Sequence, residues 1–276
     1  MPQVTSKDGT QIAYEKLGSG PALILVNGAM GLRMDRGFVD LLTPHFTVYN
    51  FDRRGRGESG DTQPFAPERE IEDIEALIDA AGGTAYVQGS SSGAIISLEA
   101  ANQLPGKITK LVMFEPPFIT DDSHPPLPVD YVEQLEAAIA AGKPGDAVEI
   151  FMTKAMQIPV EFVDQMRYMP PSEVFNMQEG VVAPMWAEME KVAHTISYDG
   201  RAVREFMQGK PLPTDHWTSV NIPTLVIVGG NSEPFFHTGA NEIAGLLNGQ
   251  VSVLEGQDHA VQPQALAPVV IEFFNS

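Results

Sequence analysis

Ser91 lies at the centre of Gly89-Ser90-Ser91-Ser92-Gly93, a G-x-S-x-G pentapeptide. An apolar run, Ala85-Tyr86-Val87, precedes it, and a helix-forming run from Ala94 to Ala101 follows. Strand, G-x-S-x-G and helix together are the context of a nucleophile elbow, a turn that holds a serine hydroxyl at its apex. Small flanking residues let the strand and the helix approach, and the apex takes backbone angles that a bulky residue resists. A serine hydroxyl is a weak nucleophile at neutral pH. It needs a base to take its proton, an acid to orient that base and donors for the developing oxyanion.

The 276 residues are 43% hydrophobic and 19% charged, which describes a globular chain with enough apolar material for a sizeable core. The absence of cysteine excludes disulfides and thiolate metal sites and gives no sign of an oxidising compartment. No apolar stretch approaches the ~20 residues that span a bilayer. The opening Met1–Gly9 lacks the basic and apolar regions of a secretory signal. A cytoplasmic location is expected on that basis. The net charge of −19 disfavours nucleic acid and anionic membranes as partners, and mildly favours a neutral small-molecule substrate.

The elements that must position Ser91 follow in order. Residues 4–7 and 10–15 read as a hairpin around Asp8-Gly9. The continuous apolar run 22–26 reads as a strand buried on both faces, followed by the loop Asn27-Gly28-Ala29-Met30-Gly31 and an amphipathic stretch over 34–42. A strand over 46–51 runs into Asp52-Arg53-Arg54-Gly55-Arg56-Gly57-Glu58-Ser59. That segment opens no helix and lacks a Lys-Ser/Thr ending, so it reads as a structural turn whose Asp and Arg side chains hydrogen-bond backbone, not as a phosphate cradle.

A helix over 67–81, the elbow with its helix to about residue 103, and a strand over 108–114 come next. Strand–helix alternation then stops between 119 and 221, where helical patterns appear over 129–141, 145–156, 160–169, 172–192 and 201–208. A structureless loop of about 100 residues is implausible in a compact domain, so this stretch reads as an inserted helical cap. The strand 223–228, a helix over 238–247, a strand over 250–254 and a helix over 263–274 close the chain. The predicted fold is α/β, a mainly parallel doubly wound sheet formed by 1–118 and 222–276, with the cap at 119–221.

The hairpin, the Asn27-Gly28 loop, the Asp52–Ser59 turn, the elbow and a late Gly256-Gln257-Asp258-His259 occur in the order of the α/β-hydrolase superfamily, which the chain resembles over nearly its whole length. Among six histidines the resemblance selects His259, on the loop after the last strand, as general base. It implies an oxyanion hole made by the amide of Ser92 and a second amide from the loop after strand 22–26. There the family usually has His-Gly, and this chain has Asn27-Gly28; Ala29 is the expected donor, with Gly28 as the near alternative. Donors of this kind are main chain, so the resemblance does not require the His for the hole.

Many relatives carry the acid in a G-x-x-D turn after the strand equivalent to 223–228. That turn reads Gly229-Gly230-Asn231-Ser232-Glu233 here, so the acid position is Ser232 or Glu233 depending on which glycine starts the count. Ser232 cannot hold an imidazolium. Glu115, at the end of strand 108–114 where some members place their acid, is the acid the resemblance favours, with Glu233 as the alternative. Ser91, Glu115 and His259 together resemble the lactonases that open the ring of the mycotoxin zearalenone.

The resemblance implies a serine hydrolase acting on a carboxylic ester or lactone without metal or organic cofactor. C–C bond hydrolysis and cofactor-free peroxyacid formation use the same residues, and a ligand-binding receptor on a hydrolase scaffold is a further possibility. Eight of the twelve methionines (Met152, Met156, Met166, Met169, Met177, Met185, Met189 and Met207) fall in the cap with Trp186. Methionine adapts to irregular apolar shapes, so the cap is expected to favour a neutral apolar or aromatic substrate. Gly28, Met30 and Trp186 are the expected substrate contacts.

Overall fold

The computed structural model describes residues 1–168 and 186–276. The chain divides into two compact units, Met1–Pro126 with Ala202–Ser276, and Leu127–Arg201. The first holds an eight-stranded sheet. A hairpin of β1 (Gln3–Thr5) and β2 (Gln11–Gly18) forms one edge, and the remaining strands are β3 (Ala22–Val26), β4 (Thr47–Phe51), β5 (Ala85–Ser90), β6 (Ile108–Phe114), β7 (Thr224–Gly229) and β8 (Gln250–Leu254). Their order is β1-β2-β4-β3-β5-β6-β7-β8, with only the β1–β2 and β2–β4 pairings antiparallel. The central strands read as unbroken apolar runs because helices cover both faces.

One face packs Leu23, Leu25, Val112, Phe114, Leu225 and Ile227 against α1 (Arg36–Leu42) and α10 (Pro263–Asn275). Helices α2 (Pro67–Ala80), α3 (Ser92–Gln103) and α9 (Pro234–Leu247) complete this unit. α1 starts two residues later than the apolar pattern, because the Asp35 carboxylate caps it by accepting the Gly37 N–H at 2.7 Å. α9 starts four residues earlier than predicted. Pro234 occupies its first turn, where no N–H is needed, and Phe235, Phe236, Gly239, Ala240, Ile243 and Leu247 extend its buried face.

The second unit is helical: α4 (Tyr131–Ala140), α5 (Pro144–Ile150) continued by a π-helical turn Phe151–Ala155, α6 (Val160–Tyr168), α7 (Trp186–Val192) and the start of α8 (Ile196–Val203). Met169, Met177, Met185 and most of the 172–192 pattern lie outside the described residues. The helix predicted over 201–208 is instead α8 followed by a 3-10 turn, Arg204–Phe206; the buried Ile196 and Tyr198 draw the helix earlier in the chain.

Residues 119–126 and 202–221 group with the sheet and not with the helices. Ile119 N–H donates to Phe206 O at 3.0 Å, and Gly209 N–H to Ile119 O at 2.8 Å. Phe118, Phe206 and Trp217 form one ring cluster. Glu99 of α3 accepts the Trp217 indole N–H at 2.8 Å and bonds His216 Nε2 at 3.0 Å.

Candidate active site

Ser91 sits between β5 and α3 with φ 54° and ψ −128°, a conformation that costs a non-glycine residue about 1–3 kcal/mol. Three contacts hold it there. The Ser91 N–H donates to Phe114 O at 2.9 Å, fastening the turn to β6. A Cβ on Gly89 would collide with Gly93 O and Ala94 Cα, and a Cβ on Gly93 with Val26 O. The two glycines thus let α3 close on β5 and on β3.

Glu115 follows the end of β6, one strand over from Ser91, and is also held at positive φ, 45°. It is completely buried. Its Oε1 accepts the Gly229 N–H at 2.7 Å and the Ser232 hydroxyl, and its Oε2 pairs with His259 Nδ1 at 2.6 Å. Burial alone would push this carboxyl up, but the hydrogen bonds from His259, Ser232 and Gly229 outweigh it and hold Glu115 below its ordinary value. An ionised carboxylate only accepts, so Nδ1 of His259 donates to it, and in the neutral imidazole Nε2 is the nitrogen with the lone pair. The imidazole lies nearly parallel to Phe236, 5.1 Å away at 18°, and to Phe114, 6.2 Å away at 21°. Its side chain is 43% exposed, open to a reacting group.

Glu233 is not brought to the imidazole. It is an exposed residue at the start of α9, and among the described residues its carboxylate has no hydrogen-bond or ion-pair partner. Its neighbour Ser232 is the one that reaches the site, as a donor to Glu115 and not as an acid. The count from Gly229 pointed to this position, but the residue type concealed what it does.

The loop after β3 runs beside Ser91. A Cβ on Gly28 would lie 2.9 Å from Ser91 Cβ, so only glycine lets the chain pass. The Gly28 N–H donates to Asn27 Oδ1 at 2.8 Å. Among the described residues, the Ala29 N–H has no hydrogen-bond partner, and Ala29 is partly exposed. Met30 turns the chain at φ 58°. Asn27 Nδ2 donates to Leu32 O at 2.9 Å, tying both ends of the loop together. Ser92 opens α3, so its amide belongs to the positive end of that helix.

The Asp52–Ser59 segment is a structural turn. Asp52 accepts the main-chain N–H groups of Arg33 at 3.2 Å and Glu58 at 3.0 Å. Arg53 pairs with Glu70 through two hydrogen bonds, and Arg54 with Asp73 through two and Asp8 through one. Trp186, in the helical unit, donates its indole N–H to Glu190 at 2.9 Å. Of the other histidines, His124 is buried with Nδ1 on Pro125 O at 2.8 Å, and His216 binds Glu99.

No helix among the described residues is long and apolar enough to cross a membrane. The family model described as the alpha/beta hydrolase family matches residues 23–271. The crystal structure of an alpha/beta hydrolase from Sphaerobacter thermophilus is similar at 47% identity and TM-score 0.86, covering 99% of this chain and 100% of that one. The non-heme haloperoxidase of Rhodococcus erythropolis is 22% identical across 95% of this chain and 93% of its own. The pimeloyl-[acyl-carrier protein] methyl ester esterase of Methylococcus capsulatus is 32% identical over 115 residues, 40% of this chain and 44% of that protein. The match over 23–271, on the sheet and elbow described above, makes this chain a member of the alpha/beta hydrolase family.

Proposed function

We propose that the protein is a serine hydrolase cleaving a carboxylic ester or lactone of a neutral, apolar or aromatic small molecule through an acyl-enzyme. The observation that carries this reading is the Glu115–His259 pair, with its free imidazole nitrogen, one strand from a serine held in an elbow. In the proposed sequence Ser91 Oγ attacks the carbonyl carbon while His259 Nε2 takes its proton. Glu115 keeps the imidazole in the required tautomer and stabilises its positive charge. The oxyanion is held by the amides of Ala29 and Ser92. His259 returns the proton to the departing alkoxide, and water, activated by the same nitrogen, releases the acid and restores Ser91. The family membership supports the hydrolase reading, and the esterase relative supports its ester form. The assignment of Met30 and Trp186 to substrate contact rests on residue type.

A fluorophosphonate tests the nucleophile. Wild-type protein is expected to be labelled at Ser91 and the Ser91→Ala variant to remain unlabelled; an unlabelled wild type would overturn the proposal. A second reading, perhydrolysis on the same groups, is favoured by the haloperoxidase relative that matches nearly the whole chain. There hydrogen peroxide replaces water as acyl acceptor, giving a peroxyacid and free Ser91, and peroxyacid formation from an ester plus peroxide would select it.

A further inference from the structure

The carbonyl of Gly28 is the convergence point of two buried guanidinium groups. It accepts from Arg56 Nη1 at 2.8 Å and from Arg53 Nη1 at 3.3 Å, with the Gly31 N–H also at 3.3 Å. Arg53 donates besides to Asn27 O at 3.1 Å, and Arg56 to Gly31 O at 3.2 Å. Both arginines are almost fully buried, at 0% and 1% exposure. Arg53 is locked by Glu70, itself buried, through Nε to Oε2 at 2.9 Å and Nη2 to Oε1 at 2.6 Å.

Two buried cations on one main-chain oxygen have a consequence for the atom across the same peptide. In a planar trans peptide the carbonyl of one residue and the N–H of the next point in opposite directions. Drawing the Gly28 oxygen into the arginines therefore turns the Ala29 N–H away from them. Strong hydrogen bonds to a carbonyl also polarise its amide and make the N–H a better donor, most of all in a low-dielectric interior. The same peptide passes against Ser91, and its N–H is without a partner among the described residues.

We propose that Arg56 and Arg53, the latter set by Glu70, are positioning residues that aim and polarise the Gly28–Ala29 peptide for oxyanion stabilisation. They act through that peptide and do not touch substrate. The turn that the sequence offered as a mere structural corner is the rear support of the oxyanion loop. This inference rests on the serine-hydrolase reading above.

The test compares wild type with Arg56→Met and Arg56→Lys, using p-nitrophenyl acetate turnover and inhibition by butylboronic acid. The boronate forms a tetrahedral adduct on the serine and places an oxygen where the oxyanion would sit. Loss of an entire oxyanion donor costs about 10²–10³ in kcat, so weakening one donor is expected to cost about ten- to thirtyfold. Arg56→Met should show that loss in kcat, with KM within about twofold and boronic acid affinity reduced in parallel. Arg56→Lys, which keeps a cation near the carbonyl, should recover part of both. If Arg56→Met gives no cooperative melt, Arg56→Lys alone decides: parallel losses of about threefold or more in kcat and boronate affinity support the inference. Unchanged kcat, or a kcat loss without weaker boronate binding, in a folded variant overturns it. Fluorophosphonate labelling of wild type separates the two levels: an unlabelled wild type sinks the hydrolase reading itself, whereas a labelled wild type with an indifferent Arg56 sinks only this inference.

Discussion

Ser232 donates its hydroxyl to Oε1 of Glu115, the carboxylate whose other oxygen holds the imidazole of His259. The residue after β7 that many superfamily members would make acidic is here a donor to an acid placed after β6. Ser232 thus stabilises the charge that Glu115 must keep. Ser232→Ala is expected to lower kcat about five- to fiftyfold, as for a lost hydrogen bond to a charged buried group. The hydroxyl holds the Glu115 carboxyl down, so its removal raises that pKa, which a carboxyl-resolved NMR titration of the variant should show as a higher midpoint. An unshifted midpoint would show that the bond has no hold on the carboxylate.

The two glutamates separate cleanly in a turnover assay. Glu115→Gln removes the charge facing His259 and leaves an amide that cannot enforce the same tautomer, so kcat should drop about 10²–10⁴-fold. Glu233→Gln alters an exposed helix-terminal residue and should leave kcat within about twofold. The reverse pattern would move the acid to Glu233.

Gly28→Ala places a methyl group 2.9 Å from Ser91 Cβ, where both partners belong to tightly held backbone. Something must shift, and displacement of reacting groups by about 1 Å can cost about 10²-fold in rate. Fluorophosphonate labelling of Ser91 should slow by about that factor while the thermal midpoint falls by only a few degrees. Labelling at the wild-type rate would mean that the loop relaxes without disturbing the serine.

Stability towards acid should carry the signature of Glu115. Its folded-state pKa lies below the ordinary 4.5, because the His259, Ser232 and Gly229 hydrogen bonds overcome the upward push of burial. The resulting stabilisation is complete above the unfolded-state value and disappears as pH falls through the folded-state value. Urea midpoints followed from about pH 7 down to about pH 3 should therefore fall less steeply for Glu115→Gln than for wild type. Parallel slopes would show no linkage at this residue.

Arg54 supplies a contrast to Arg56. It lies fully buried between Asp73 and Asp8, and contacts the carbonyl of Arg69 rather than the oxyanion loop. Burial pushes Asp8 up, but its bonds from Arg54 and Thr10 hold it well below the usual carboxylate range. Arg54→Met strands both carboxylates and should destabilise the fold by about 3–5 kcal/mol in urea titration. Protein that still folds at low denaturant should retain wild-type KM and kcat; a selective kcat loss would tie Arg54 to the site as well.

The sequence by itself marked the elbow and a mainly parallel sheet, whereas the spatial order of the strands came only with the structure. The runs 22–26, 108–114 and 250–254 match β3, β6 and β8 to the residue. Gly89 and Gly93 marked close approach, and the Asp52–Ser59 segment already read as a turn bonded to backbone. Helix ends were less legible: caps and prolines, not periodicity, set the starts of α1 and α9.

What only the tertiary structure decided was partnership across distant segments. The sequence favoured Glu115 over Glu233 only through a family resemblance, since composition and spacing are silent about which carboxylate a rotamer turns towards residue 259. The choice follows from the positive φ of Glu115 and from Gly229 and Ser232, more than a hundred positions later, aimed at the same carboxylate. The oxyanion donor was undecided for the same reason. The Gly28 N–H meets Asn27 Oδ1, and the Gly28 carbonyl accepts from two arginines some twenty-five residues downstream. Nucleophile geometry is local and therefore written in five consecutive residues, whereas the groups that charge and orient it meet only when the strands lie side by side.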